Sequence, residues 1–145
     1  MSASGITQGI IDNLSAVSAI GSCQVATNWS VLEETNACCA VISGVNLNSD
    51  PWAMGGQHER IYDHTLTLYV KDRSGNARTI NDEMQQFIDT AVCSLEADKT
   101  LQGNIDIREF RNLTVSYDPF TTLDTGGATW YFANMSIFVR EWPTN

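Results

Sequence analysis

Ile80, Met84, Phe87, Ile88, Ala91, Val92 and Leu95 return at steps of three and four, the spacing that lays side chains along one stripe of an α-helix. A stripe this regular must be covered, because each large apolar side chain taken out of water contributes about 1.5–3 kcal/mol before entropy is subtracted. The helix therefore needs a sheet or another helix beneath it. Thr79 is placed to cap its start, and 79–82 fits a capping box, with Asp82 and Glu83 bringing negative charge to the positive end of the helix dipole. Thr and Gly within 97–103 then break the helical period. Beyond them Ile105, Ile107, Leu113, Val115 and Tyr117 share one parity, and Asp106, Arg108, Thr114 and Ser116 take the other, as a half-buried strand requires. Phe110 falls out of phase, which predicts a bulge or bend within 108–112.

The rest of the chain supplies what that helix needs. Ile6, Ile10, Leu14 and Val17 predict a first helix, with Ser4 as its cap and Gly21 as its end. Residues 22–36 hold Trp29 and Val31 without a sustained period and are compatible with either a short strand or an irregular connection. The small and branched run 37–42 predicts a strand covered on both faces and ending near Gly44. Residues 59–71 predict a long strand, with Tyr62, His64, Leu66, Leu68 and Val70 on one face and Ile61, Thr65, Thr67 and Tyr69 on the other. Residues 72–76 form a turn, and the aromatic, branched run 130–139 predicts a closing strand. Two further stretches, 46–58 and 118–128, are expected to be exposed loops from their Asn, Asp, Pro and Gly content. The sum is one α+β domain over 1–145, a mainly antiparallel sheet of about four strands with two helices packed on it, in the order α-β-β-α-β-β.

Charge and cysteine usage narrow the function classes. Eight Lys and Arg against seventeen Asp and Glu give a net charge of −9, the wrong sign for a surface that grips phosphates. The balance suits a basic protein partner, or a passage through which nucleic acid slides without sticking. The opening residues lack a secretion signal and no long apolar run occurs, so the chain is expected to be soluble and unprocessed. Cys23, Cys38, Cys39 and Cys93 form no CxxC pair and are expected to be buried free thiols, with Cys38 and Cys39 on opposite strand faces.

The residues do not converge on a reaction. On one strand, His58 and His64 stand about 20 Å apart at roughly 3.3 Å per residue, too far to share an ion. None of the four cysteines carries a local nucleophile signature. Asp82, Glu83, Asp89, Glu96 and Asp98 fall off the apolar stripe and are expected to be its solvated face. The Gly55-Gly56 and Gly126-Gly127 pairs lack the Lys and helix start of a phosphate loop. Asn13, Asn28, Asn112 and Asn134 head N-x-[ST] triplets, taken as chance matches in a chain not expected to be secreted. No enzymatic activity, cofactor or metal is expected. Loop aromatics and methionine are enriched at interface cores, so Trp52, Met54 and Phe120 are the candidate contact residues. The competing expectation is that these three fold back on their own domain.

Taken together, the N-terminal helix 6–19, the long strand 60–70, the amphipathic helix running into Asp98-Lys99-Thr100-Leu101-Gln102-Gly103 and the closing strand 134–139 resemble the tail terminator family of tailed bacteriophages, also called tail completion or minor tail proteins. The resemblance spans nearly the whole chain. It implies a virion structural protein, assembled in the host cytoplasm, that forms a homohexameric ring on the head-proximal end of the tail tube. Such a ring stops tube polymerisation and offers a joining surface to the head connector. The implied partners are further copies of itself, the tail tube protein and the head-closure or connector protein, with DNA passing through the channel without specific binding and no membrane involved. Two alternatives stay open: a head-closure or neck protein of the same connector, and a small cellular α+β module that binds a ligand or a protein.

Overall fold

A computed structural model describes residues 3–17, 23–25, 38–50, 59–72, 75–98, 100, 110–125 and 128–141. Seven elements follow one another: α1 (Ala3–Ser15), β1 (Cys23–Val25), β2 (Cys38–Asp50), β3 (Glu59–Lys71), α2 (Ala77–Ala97), β4 (Phe110–Thr125) and β5 (Ala128–Glu141). The strands form one sheet in the order β1-β2-β3-β5-β4. β2, β3, β5 and β4 pair antiparallel throughout. The expected α+β architecture of two helices on a four-stranded antiparallel sheet is what the chain adopts, with one addition: β1 lies parallel beside β2 over Ala40–Ile42. That three-residue strand falls in the segment whose sequence left strand and connection open.

Alternation divides the sheet into a helix-covered face and an open one. Tyr62, His64, Leu66, Leu68 and Val70 of β3 are buried, as are Ala133, Met135, Ile137 and Val139 of β5. They join Ile6, Ile10 and Leu14 of α1 and Met84, Phe87, Ala91 and Leu95 of α2 in one core. The apolar stripe of α2 thus meets a sheet, with Ile88 and Val92 half-buried at its margins.

The helix starts differ from expectation. α2 is capped by Asn76, whose Oδ1 accepts from the backbone N–H of Arg78 at 3.1 Å and of Thr79 at 3.5 Å. Thr79 is therefore the recipient of the cap. Asn can occupy the extended cap conformation and still reach back to the first free amides, and it follows Gly75, which takes φ 66° and donates its N–H to Asp72 Oδ1 at 2.9 Å. Ser4 lies inside α1, which begins at Ala3.

The strand ends differ for one shared reason. β2 does not stop at Gly44; the ladder slips one residue between Ile42 and Gly44 and continues to Asp50. Residues 46–50 of the first expected loop are thus strand. β4 slips at Phe110/Asn112, within the window where the broken alternation predicted a bulge. It slips again between Tyr117 and Thr122, where residues 118–121 oppose Phe132 alone, and then pairs on to Thr125. Of the second expected loop, at 118–128, residues 118–121 are therefore an extrusion in the middle of a strand, 122–125 and 128 are strand, and 126–127 lie outside the described residues. Turn-forming residues mark a departure from the ladder in both places, and cross-strand pairing on either side overrides them.

Candidate interaction surface

Polar side chains on the helix-covered side hold the layers in place. His64 is fully buried beneath the start of α1, its Nε2 3.2 Å from the Ala3 carbonyl and 3.1 Å from Thr7 Oγ1. A carbonyl only accepts, so the Nε2–H tautomer is the one that satisfies this contact. Nδ1 is buried without a hydrogen-bond partner. Burial lowers the pKa of His64 below its ordinary value, against the opposing effects of the Ala3 carbonyl and Asp63. Between the helices, buried Asn13 donates from Nδ2 to the Ser94 carbonyl and to Asp98 Oδ2, both at 3.1 Å, and accepts from Ser94 Oγ at 2.8 Å. Asp98, expected to be merely solvated, caps α2 and clasps α1. At the far end Glu141 Oε1 accepts from Tyr62 Oη at 2.9 Å and from Arg60 Nη1 at 3.3 Å. Burial, and then the Glu141 carboxylate, raise the Tyr62 pKa.

Among the described residues no helix lies on the opposite face of the sheet, and the side chains there sort into two zones. Cys39, Val41 and Trp130 form a small buried cluster flanked by Tyr69 and Leu123. Tyr69 stands edge-on to Trp130 with ring centroids 6.5 Å apart, and Lys71 Nζ lies 6.0 Å from the Trp130 centroid. Beside it runs a polar row in which Thr67 Oγ1 donates to Asn134 Oδ1 at 3.1 Å and meets Ser43 Oγ at 3.4 Å. Of the thiols, Cys39 is buried and Cys93 is exposed, contrary to the expectation of burial; Cys93 projects away from the apolar stripe of α2. Among the described residues no group of three or more His, Cys, Asp and Glu is placed to hold a metal ion, and no helix is long and apolar enough to cross a membrane.

Of the three candidate contact residues, Trp52 and Met54 lie outside the described residues, as does His58. Phe120 stands on the extrusion of β4 and is 95% exposed, so it does not fold back on its own domain. Asp118 shapes that extrusion: its Oδ1 accepts from the Phe120 N–H at 2.9 Å and its Oδ2 from Thr121 Oγ1 at 2.8 Å. These two bonds hold the Asp118 carboxyl below its ordinary pKa.

Among the described residues the other large exposed apolar side chains are Val45, 47% exposed, and Leu47, 51% exposed, on the part of β2 beyond its pairing with β1. Both lay within or next to the expected loop at 46–58, which hid them: a loop has no face, whereas a strand places Val45 and Leu47 together on one side. The sheet thus presents two unlike edges, a partly covered β2 and a β4 broken by its extrusion. Comparison with known protein families and with characterised proteins finds no match to this chain.

Proposed function

We propose that this chain is a structural subunit of a bacteriophage tail, a terminator that assembles as a ring on the head-proximal end of the tail tube and presents the joining surface to the head connector. The observation that carries this reading is the pair of unlike sheet edges: among the described residues one edge is built from β1 on the Ala40–Ile42 part of β2 and the other from β4 with its extrusion at 118–121. A closed ring built from one kind of subunit uses a heterologous contact, in which two different surfaces of the subunit meet. A sheet with β1 and β2 at one edge and β4 at the other offers two such surfaces. Phe120, exposed on its extrusion, is an apolar anchor for the tube or connector. The net charge of −9 suits a ring around a DNA channel, since like charge keeps the polymer from sticking.

The test is assembly of the cognate tail tube protein in the presence of this chain. Added at a substoichiometric ratio, the chain is expected to stop tube growth and to appear by electron microscopy at one tube end, and Phe120→Ser is expected to weaken that capping at least tenfold. Tubes that elongate unaffected, with the chain absent from their ends, would overturn the proposal.

A further inference from the structure

We infer that the start of α1 is an acid-sensitive latch: protonation of His64 lifts residues 3–9 off the sheet, while the far end of the helix stays clasped to α2. The inference stands apart from the ring reading and uses only contacts within one copy.

The latch is built on one imidazole. His64 is fully buried on the helix-covered face of β3, level with Val45 of β2 and Ile137 of β5. Its Nε2 lies 3.2 Å from the Ala3 carbonyl and 3.1 Å from Thr7 Oγ1, and Thr7 Oγ1 itself donates to that carbonyl at 3.0 Å. The first turn of α1 thus satisfies one nitrogen. The other, Nδ1, is buried without a hydrogen-bond partner. In the neutral ring it is an unmet acceptor; a second proton makes it an unmet donor on a buried cation, which costs far more. Lifting the first turn gives both nitrogens water.

The charges around the ring supply no partner for that proton. α1 carries one titratable group, Asp12, which is exposed and accepts from Gln8 Nε2 at 2.8 Å. β2 and β5 set apolar Val45 and Ile137 beside the ring. On β3, Asp63 is next in the chain, and alternation turns it to the opposite face. Its attraction and the Ala3 carbonyl oppose the burial that keeps the ring neutral, and burial is the larger effect. Tyr62, on the same face as His64, gives its hydroxyl to Glu141, which also holds Arg60. α2 meets the core through Ile80, Met84, Phe87, Ala91 and Leu95, and its charged side chains Arg78, Asp82, Glu83, Asp89 and Glu96 lie off that stripe.

The two ends of α1 are held differently. Ile6 and the His64 contact secure the first half; Ile10, Leu14 and Asn13 secure the second, with Asn13 bonded to Ser94 and Asp98. That clasp contains no histidine, so mild acid acts on one end of the helix. The latch is fully closed above the ordinary histidine pKa of 6.5 and is lost as pH falls through the lower value of the closed form. Over that window the opening equilibrium rises by up to about tenfold per pH unit. Opening uncovers Ile6 and Ile137 next to Val45, which is already 47% exposed, so acid enlarges one apolar patch.

The experiment is a residue-resolved NMR titration of the full chain from pH 7.5 to pH 5.0, a range that stays above the ordinary carboxylate values. The Cα shifts of residues 4–9 are expected to lose their helical displacement with the same midpoint as the His64 ring, while residues 11–15 and 84–95 keep theirs. His64→Gln, which donates but does not titrate, is expected to hold residues 4–9 helical throughout. A His64 ring that titrates while residues 4–9 stay helical would overturn the latch, as would loss of helical shifts in α1 and α2 together. Opening of His64→Gln in step with the wild type would assign the change to another group and overturn it too. If His64→Gln does not fold, the wild-type midpoints decide: coincidence supports the latch and separation refutes it.

Discussion

His64 shows how one side chain ties the sheet to a helix and makes the fold pH-sensitive. Its neutral ring donates to the first turn of α1, and Nδ1 has no acceptor nearby to receive a second proton's hydrogen bond. Burial holds the His64 pKa in the folded state below 6.5, against the opposing effect of the Ala3 carbonyl, so the unfolded chain binds the extra proton more readily. By linkage, the contribution is fully present above about pH 6.5 and is lost as pH falls below it, at up to about 1.4 kcal/mol per pH unit until the folded pKa is reached. Urea unfolding of the wild type is expected to weaken between pH 7.5 and pH 5.5, and His64→Gln, which keeps a donor but does not titrate, is expected to weaken less over the same interval. In the sequence His64 was visible as a member of one parity of a strand, shared with Tyr62, Leu66, Leu68 and Val70. Its partner, the start of α1 some sixty residues earlier, was not, because contacts between layers leave no local period. Asn13 is the same case: it sat on the first helix as a polar residue, and only the packing of α1 against α2 makes it a buried clasp.

At the scale of elements, turn chemistry placed departures from regular structure correctly and misjudged their extent. The turn before α2 depends on Asn76 and Gly75. Asn76→Ala is expected to cost about 1 kcal/mol through the lost cap. Gly75→Ala is expected to cost about 1–2 kcal/mol from its left-handed φ of 66° and not from crowding, since a Cβ there would meet nothing within 4 Å. Both are checked by the urea midpoint at constant m-value, which separates a change in stability from a change in the unfolded state. In β2 and β4 the Gly, Asn, Asp and Pro residues that promised loops mark instead a slipped ladder and an extrusion. The bulge near Phe110 was legible because alternation failed there inside an otherwise clear pattern. The continuation of β2 past Gly44 was not legible, because strand pairing with β3 supplies it and residues 46–50 are polar apart from Leu47.

For the whole molecule, self-association has to work against charge. Copies carrying −9 each repel one another. Raising ionic strength shortens the Debye length from about 10 Å at 0.1 M to about 3 Å at 1 M, so the oligomeric fraction in light scattering is expected to rise with salt. A fall would mean that ion pairs hold the copies together. The sequence by itself determined the fold class, the buried stripe of α2, the two alternating faces of β3 and the departure near Phe110, because each is written in a period of 3.6 or 2 over neighbouring residues. It also singled out Phe120, through its type and its company of turn residues. Only the tertiary structure decided the order of strands, the parallel β1 on half of one edge, and the exposure of Val45 and Leu47 on the other half. Edges and shared faces arise when distant segments pair, and pairing between strands far apart in the chain is set by the global packing of the sheet under its helices.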